Sequence, residues 1–330
     1  MNSIPFSTRH ITLATATIHP DSFQDQPRFN ATTTLAAAGG RALVLGGGGS
    51  TGNAWLIGVT AGLFETGVDV TGADLIIGTS AGSTAAAQIT GASPTQLFAD
   101  TLAAVSVAQK APPGTEKGQA PVLPVDHLGR IKKIIAAAQN PAEMRHRLGA
   151  SALEMESALD GSWSTRWRST VAARLPCQDW PEQEVVITAV DATTGEPVMF
   201  DRHSGVDLAD AVAASCSSGL PYRIGDNAFI DGGYRRSGEN ADLAAGFERV
   251  LLLSPFGGKS LQPLAWGLQL SAQLEELDAG GSRVETISPD TSAEYMFGAN
   301  AMDLSMRPSA ARAGYEQGKA LAERLGEFWH

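Results

Sequence analysis

The sequence predicts an α/β fold with a mainly parallel central sheet flanked by helices. Three observations lead there. From Arg41 onward, short apolar runs of strand length alternate with stretches of helical period. The 36 glycines fall in clusters at the junctions rather than being spread evenly. A chain of 330 residues, 43% hydrophobic and 18% charged, also has enough apolar surface to bury a large core.

The elements follow in order. Residues 1–40 are rich in Thr, Ser, Ala and Gln and keep no period. They read as an N-terminal extension, partly disordered or laid over a domain that occupies 41–330. Arg41–Leu45 is a short buried strand, followed directly by the run Gly46 to Gly49. A helix is expected over 53–66, where Leu56, Val59 and Leu63 share a face and Gly67 is placed to end it. Leu75–Gly78 is the next strand and 81–90 the next helix, closed by Gly91. Strand, helix, strand, helix at this pace indicates a parallel sheet.

Residues 92–180 change character. Helical stretches dominate, with breaks at 111–114, Pro121 and Pro124, so this part reads as a helical insertion between the second and third core strands. Leu128, Ile131, Ile134 and Ile135 form an apolar stripe there, flanked by Arg130, Lys132 and Lys133. Strands resume at 185–190 and 198–200, either side of a turn at 193–197, and are expected again at 228–230, 250–253 and 284–287. A final helix over Arg307–Trp329 closes the chain.

Charge and cysteine content exclude several classes. The net charge of −11 and pI near 5.0 argue against a general nucleic-acid binder, which needs a concentrated basic surface. No window holds eighteen consecutive apolar residues, and the N-terminal stretch lacks the early positive charge and apolar run of a secretory signal. Cys177 and Cys216 make neither a disulfide framework nor a four-ligand metal site. The expectation is a soluble cytoplasmic protein.

Three motifs carry chemistry. The first is G-x-G-x-x-G over Gly47, Gly48, Gly49, Ser50, Thr51 and Gly52, between a strand and a helix. Exposed N–H groups in such a loop can hold a pyrophosphate, stabilise an oxyanion, or simply turn the chain. A dinucleotide site also needs an acidic residue at the end of the second strand. That strand instead ends in Gly78, Thr79 and Ser80, while Asp69 and Asp74 precede it.

The second motif is that strand end. Gly78-Thr79-Ser80-Ala81-Gly82 is G-x-S-x-G, the nucleophile elbow, which lifts a serine hydroxyl above the sheet at a helix N-terminus. A serine needs a base. None of the six histidines, His10, His19, His127, His146, His203 and His330, is placed as a triad base. The third motif offers a carboxylate instead: Asp231-Gly232-Gly233 follows a short strand. Alone it is a turn. Beside a serine without a histidine it becomes a candidate base, provided the carboxylate is close and partly desolvated.

Taken together and in this order, residues 46–52, 78–82 and 231–233 resemble the patatin-like phospholipase family. The stretch 238–244, with Asn240, looks like the family as well. The resemblance covers about residues 41–255 and implies a three-layer patatin-like fold and lipid acyl hydrolysis by a Ser-Asp dyad without metal or organic cofactor. It implies Ser80 as nucleophile, Asp231 as base, and the N–H groups of Gly47, Gly48 and Gly49 as oxyanion hole. Gly52, Gly78, Gly82, Gly232 and Gly233 are the remaining motif glycines. Many members carry Lys or Arg where this chain has Thr51, so any positive side chain for loop geometry or a phospholipid headgroup is missing from the loop.

The expected partners are a lipid or other acyl ester substrate and, transiently, a membrane surface; nucleic acid is not expected. Arg130, Lys132, Lys133, Arg145 and Arg147, with Trp163 and Trp167 at i, i+4, could meet anionic lipid, although a solvated face and two core tryptophans explain the same residues. Two other functions compete: a dinucleotide-binding oxidoreductase, and a non-catalytic lipid-binding protein that keeps the fold.

Overall fold

The computed structural model describes residues 40–108 and 126–330. The N-terminal extension up to residue 39 and the breaks expected at 111–114, Pro121 and Pro124 lie outside the described residues. Among the described residues, no helix is long and apolar enough to cross a membrane.

Among the described residues, an eight-stranded sheet lies between helices. Its strands are β1 (Arg41–Leu45), β2 (Leu75–Gly78), β3 (Glu184–Asp191), β4 (Pro197–Phe200), β5 (Tyr222–Ile224), β6 (Asn227–Asp231), β7 (Arg249–Leu253) and β8 (Arg283–Ile287). The order is β5-β6-β3-β2-β1-β7-β8, with β4 also paired to β3. The five strands from β3 to β8 are parallel, and β4, β5 and β6 add an antiparallel margin. β1 is buried along almost its whole length because it lies mid-sheet with helices on both faces, which is why it reads as a continuous apolar run.

The helices are α1 (Gly49–Glu65), α2 (Ala81–Gly91), α3 (Pro94–Ala108), α4 (His127–Ala137), α5 (Pro141–Glu156), α6 (Trp163–Ala172), α7 (Leu208–Ser215), α8 (Leu270–Ala279) and α9 (Arg307–Trp329). Among the described residues, helices α3 to α6 lie between α2 and β3. α1 starts four residues earlier than its apolar spacing indicates, because the helix begins inside the glycine run. Its apolar face was expected, but the helix is buried nearly all round from Thr51 to Leu63. α9 packs along it closely: a Cβ added at Gly58 would lie 2.1 Å from the Ala311 carbonyl oxygen, and one at Gly314 would lie 2.3 Å from that of Trp55. The contacts pair early residues with early and late with late, so α1 and α9 run parallel and bring their N-termini to the same end of the molecule.

Candidate active site

Register brings the three motifs to one edge of the sheet. Leu45 is level with Gly78 on one side and Leu253 on the other, so the glycine loop and the elbow leave adjacent parallel strands side by side. β6 runs the opposite way to β3. Gly78 is level with Ile187 and Asp231 with Ala189, so β2 and β6 converge at Thr188. Two motifs 151 positions apart in the chain (80 to 231) meet there because an antiparallel strand points at the end of a parallel one.

Ser80 sits between β2 and α2 with φ 51° and ψ −115°, a region that costs a non-glycine residue about 1–3 kcal/mol. The surroundings hold it there. Its N–H donates to Ser215 Oγ at 2.9 Å, and its carbonyl accepts from the Ser83 hydroxyl at 2.6 Å and from Cys216 Sγ at 3.2 Å. Gly82 makes the turn possible: a Cβ there would lie 1.8 Å from the Leu45 carbonyl oxygen. Gly78 is similarly packed, with Ser83 Cα at 2.7 Å from a built Cβ.

Asp231 closes β6 and is 6% exposed. Its Oδ1 accepts from the Gly233 N–H at 2.8 Å, and the carboxyl also accepts from the Ser80 side chain. Burial raises its pKa from 3.8 to about 6, and these two hydrogen bonds offset only part of that rise. Gly232 turns the chain against the Thr188 carbonyl.

The glycine loop lies over the elbow. A Cβ at Gly47 would be 3.6 Å from Ser80 Cβ, while one at Gly48 would meet Pro255 Cβ at 2.5 Å and Gly52 Cα at 2.9 Å. Gly49 has φ +63° and faces the Ala301 carbonyl. One donor expected of this loop is committed elsewhere: the Gly47 N–H donates to the Gly238 carbonyl at 2.8 Å. The Gly48 and Gly49 amides are different. They stand at the start of α1, where helical bonding supplies no acceptor. The loop therefore offers Gly48 and Gly49 as donors, and Gly47 as an anchor. Thr51 is turned away from the loop, and its hydroxyl donates to the Met296 carbonyl at 2.9 Å. Gly52 bonds back to the Gly48 carbonyl at 3.0 Å.

The segment after Asp231 ties the motifs together. Gly238 holds the glycine loop as above. Asn240, fully buried with φ 51°, donates through Nδ2 to Thr79 Oγ1 at 3.0 Å and to the Gly232 carbonyl at 3.0 Å. It thus links the residue before Ser80 to the residue after Asp231. Arg235 donates to Asn240 Oδ1 at 3.2 Å and grips Asp242 with two bonds of 2.9 and 2.8 Å. Burial would raise the Asp242 carboxyl, but Arg235, seconded by Arg236, outweighs it and holds it below the usual range. Sequence reading missed Ser215, Cys216, Thr188 and Arg235. Nothing local marks them, because each matters only through a contact made across the fold.

Other candidates lie elsewhere. Among the described histidines, His127 faces Arg130 and His203 bonds Asp201 through its N–H; no described histidine bonds Asp231. Asp74 caps the start of β2 by accepting from the Arg41 N–H, at the end away from the elbow, so the dinucleotide reading finds no ribose partner there. Trp163 and Trp167 stack on one another with centroids 5.4 Å apart and donate to the Pro221 and Ala213 carbonyls. They pack on the body of the protein rather than standing free. Arg145 is buried against the Gly195 and Arg235 carbonyls, and Arg147 pairs with Glu143.

The family model of the patatin-like phospholipases matches residues 43–244, which take in the glycine loop, the elbow, Asp231 and Asn240. This chain belongs to the patatin-like phospholipase family. Membership places it among lipid-hydrolysing enzymes. No curated relative matches. Among solved structures it is similar to VipD from Legionella pneumophila, with 15% identity and a TM-score of 0.41 over 88% of this chain and 68% of the other. It is also similar to the ExoU–SpcU complex of Pseudomonas aeruginosa, with 19% identity and a TM-score of 0.39 over 87% of this chain and 52% of the matched one. The patatin-like fold, a central sheet between helical layers, is the one described above.

Proposed function

We propose that this patatin-like chain is a serine acyl hydrolase that cleaves carboxylic esters through an acyl-enzyme, with Ser80 as nucleophile and Asp231 as base. The observation that carries the proposal is the buried Asp231 carboxyl accepting from the Ser80 side chain, with no histidine between them. A pKa near 6 suits this work: the group is ionised at neutral pH yet more basic than a solvated aspartate.

In the reaction, Asp231 takes the Ser80 proton as Oγ attacks the ester carbonyl. The oxygen gains negative charge and is held by the Gly48 and Gly49 N–H groups. The intermediate collapses, the C–O bond breaks, and the alcohol leaves with the proton from Asp231. Water then attacks the acyl-enzyme, with Asp231 again accepting a proton, and the carboxylic acid departs as Ser80 recovers its own. Losing one oxyanion donor typically costs about 10²–10³ in rate. The hydrogen bonds that hold Ser80 in its strained conformation keep Oγ in position before substrate arrives.

A fluorophosphonate probe tests the assignment. Peptide mapping should place the label on Ser80, and both Ser80→Ala and Asp231→Asn should abolish it. A well-folded protein left unlabelled at Ser80 sinks the proposal.

A further inference from the structure

Arg307 opens α9 and reaches the start of α1. Its Nη1 donates to the Ser50 carbonyl at 2.8 Å and the Ser50 hydroxyl at 3.2 Å, and its Nη2 donates to Asn53 Oδ1 at 3.1 Å. Every acceptor is neutral. Several other arginines find carboxylates: Arg235 with Asp242, Arg168 with Asp210, Arg223 with Glu156. No carboxylate among the described residues pairs with Arg307.

Its charged neighbour is a second cation. Arg174 acts electrostatically on Arg307 and also on the Cys216 thiol, which itself bonds the Ser80 carbonyl. The Arg174 guanidinium lies over the Trp167 ring at 5.6 Å, and it too lacks a carboxylate among the described residues. Neutral amides join the two arginines: Asn53 Nδ2 donates to Gln88 Oε1 at 2.9 Å, and Gln88 Nε2 donates to the Arg174 carbonyl at 3.1 Å. The first turns of α1 and α2 hold no acidic residue, so their positive ends are uncompensated as well.

This is an unfavourable arrangement for a protein of net charge −11. Half-burying a guanidinium without a counter-charge costs free energy, and a like charge beside it adds to the cost. Burial first, and Arg174 second, pull the Arg307 guanidinium down to about 10. A carboxylate would relieve the unbalanced charge, yet among the described residues Arg307 meets only amides, a hydroxyl and a helix end. All of these are compatible with an anion that arrives from solution. Arg174 is exposed and Ser50 half-buried, so the place is reachable. The loop itself contributes no cation, since Thr51 is neutral and turned to the Met296 carbonyl.

We propose that Arg307 and Arg174 form an anion subsite beside the glycine loop that binds a phosphate group. Ser50 follows Gly49 directly, so a phosphate held there lies next to the loop that receives the ester in the acyl-hydrolase reading. Under that reading, on which only the headgroup source rests, the phosphate is that of a phospholipid. α9 supplies the positive side chain that position 51 lacks.

The test has two arms at constant ionic strength. In the first, inorganic phosphate and, separately, a short-chain phosphatidylglycerol below its micelle concentration are added during thermal unfolding. Either should raise the Tm of the wild-type protein, and Arg174→Gln and Arg307→Met should reduce the rise. Arg174 is exposed, so its substitution keeps the test alive should Arg307→Met fail to fold. In the second arm, kcat/KM is compared for the phospholipid and a neutral p-nitrophenyl ester. A lipid headgroup as ligand predicts a fall of about ten- to a hundredfold in that ratio in Arg174→Gln. Phosphate-dependent stabilisation lost in the variants with an unchanged ratio still supports the anion site and assigns it to free phosphate. Wild-type protein stabilised by neither compound, or variants stabilised as much as wild type, overturns the proposal. The first arm needs no turnover, so failure of Ser80 labelling leaves it standing as a separate result.

Discussion

Replacing Asp231 by Asn should make the protein inactive and more stable at the same time. The carboxyl is 6% exposed, and its pKa rises from 3.8 to about 6, with burial as the leading cause and no cation contributing. A rise of this size corresponds to about 3 kcal/mol of free energy held against the ionised form. The sign follows from proton counting. Below pH 3.8 the folded and unfolded chains both carry the neutral acid, so ionisation costs nothing. Between pH 3.8 and 6 the folded chain binds more protons than the unfolded one, so stability falls as pH rises. Above pH 6 the full cost stands. Asparagine never ionises. Its Oδ1 can still accept from the Gly233 N–H, and its Nδ2 can donate to Ser80, so no buried polar group is stranded. At pH 8 the variant should be up to about 3 kcal/mol more stable, a Tm gain of roughly 4–5 °C, with the gap closing by about pH 4. Denaturant unfolding of both proteins at pH 4 and pH 8 measures this. Equal stability at pH 8, or a gap that does not change with pH, refutes the claim that burial opposes ionisation of this carboxylate.

Fluorophosphonate labelling of the wild type should rise with pH through about 6 and level off, since only ionised Asp231 can take the Ser80 proton; at pH 5 the rate should be about a tenth of the plateau. Gly82→Ala, which puts a Cβ 1.8 Å from the Leu45 carbonyl, should yield insoluble or strongly destabilised protein, whereas Gly67→Ala, with φ +90° but nothing within 4 Å, should cost only about 1 kcal/mol by chemical denaturation. Asn240→Ala removes two 3.0 Å bonds and leaves Thr79, Gly232 and Arg235 short of partners, so it should cost about 2–4 kcal/mol and slow Ser80 labelling even where the protein remains folded.

The fold class and the three motifs were legible in sequence because each is a local requirement. A strand buried on both faces must be apolar throughout, a strand-to-helix turn packed against a carbonyl must be glycine, and an elbow serine must stand between the two. These demands fall on neighbouring residues, so they leave a pattern in the chain. The short elements α7 and β5 left none, since each is stabilised by what covers it.

The site's working details were decided only by tertiary structure. That Gly47 is an anchor rather than a free donor depends on the Gly238 carbonyl, 191 positions further on (47 to 238). That Asp231 meets Ser80 depends on β6 running against β3 toward the end of β2. That the N-terminus of α1 gains an arginine depends on α9 lying parallel to it. Hydrogen bonds and charges act over a few ångströms of space and are indifferent to separation along the chain. A single sequence names the residue types able to make such contacts, and only the folded backbone selects which of them meet.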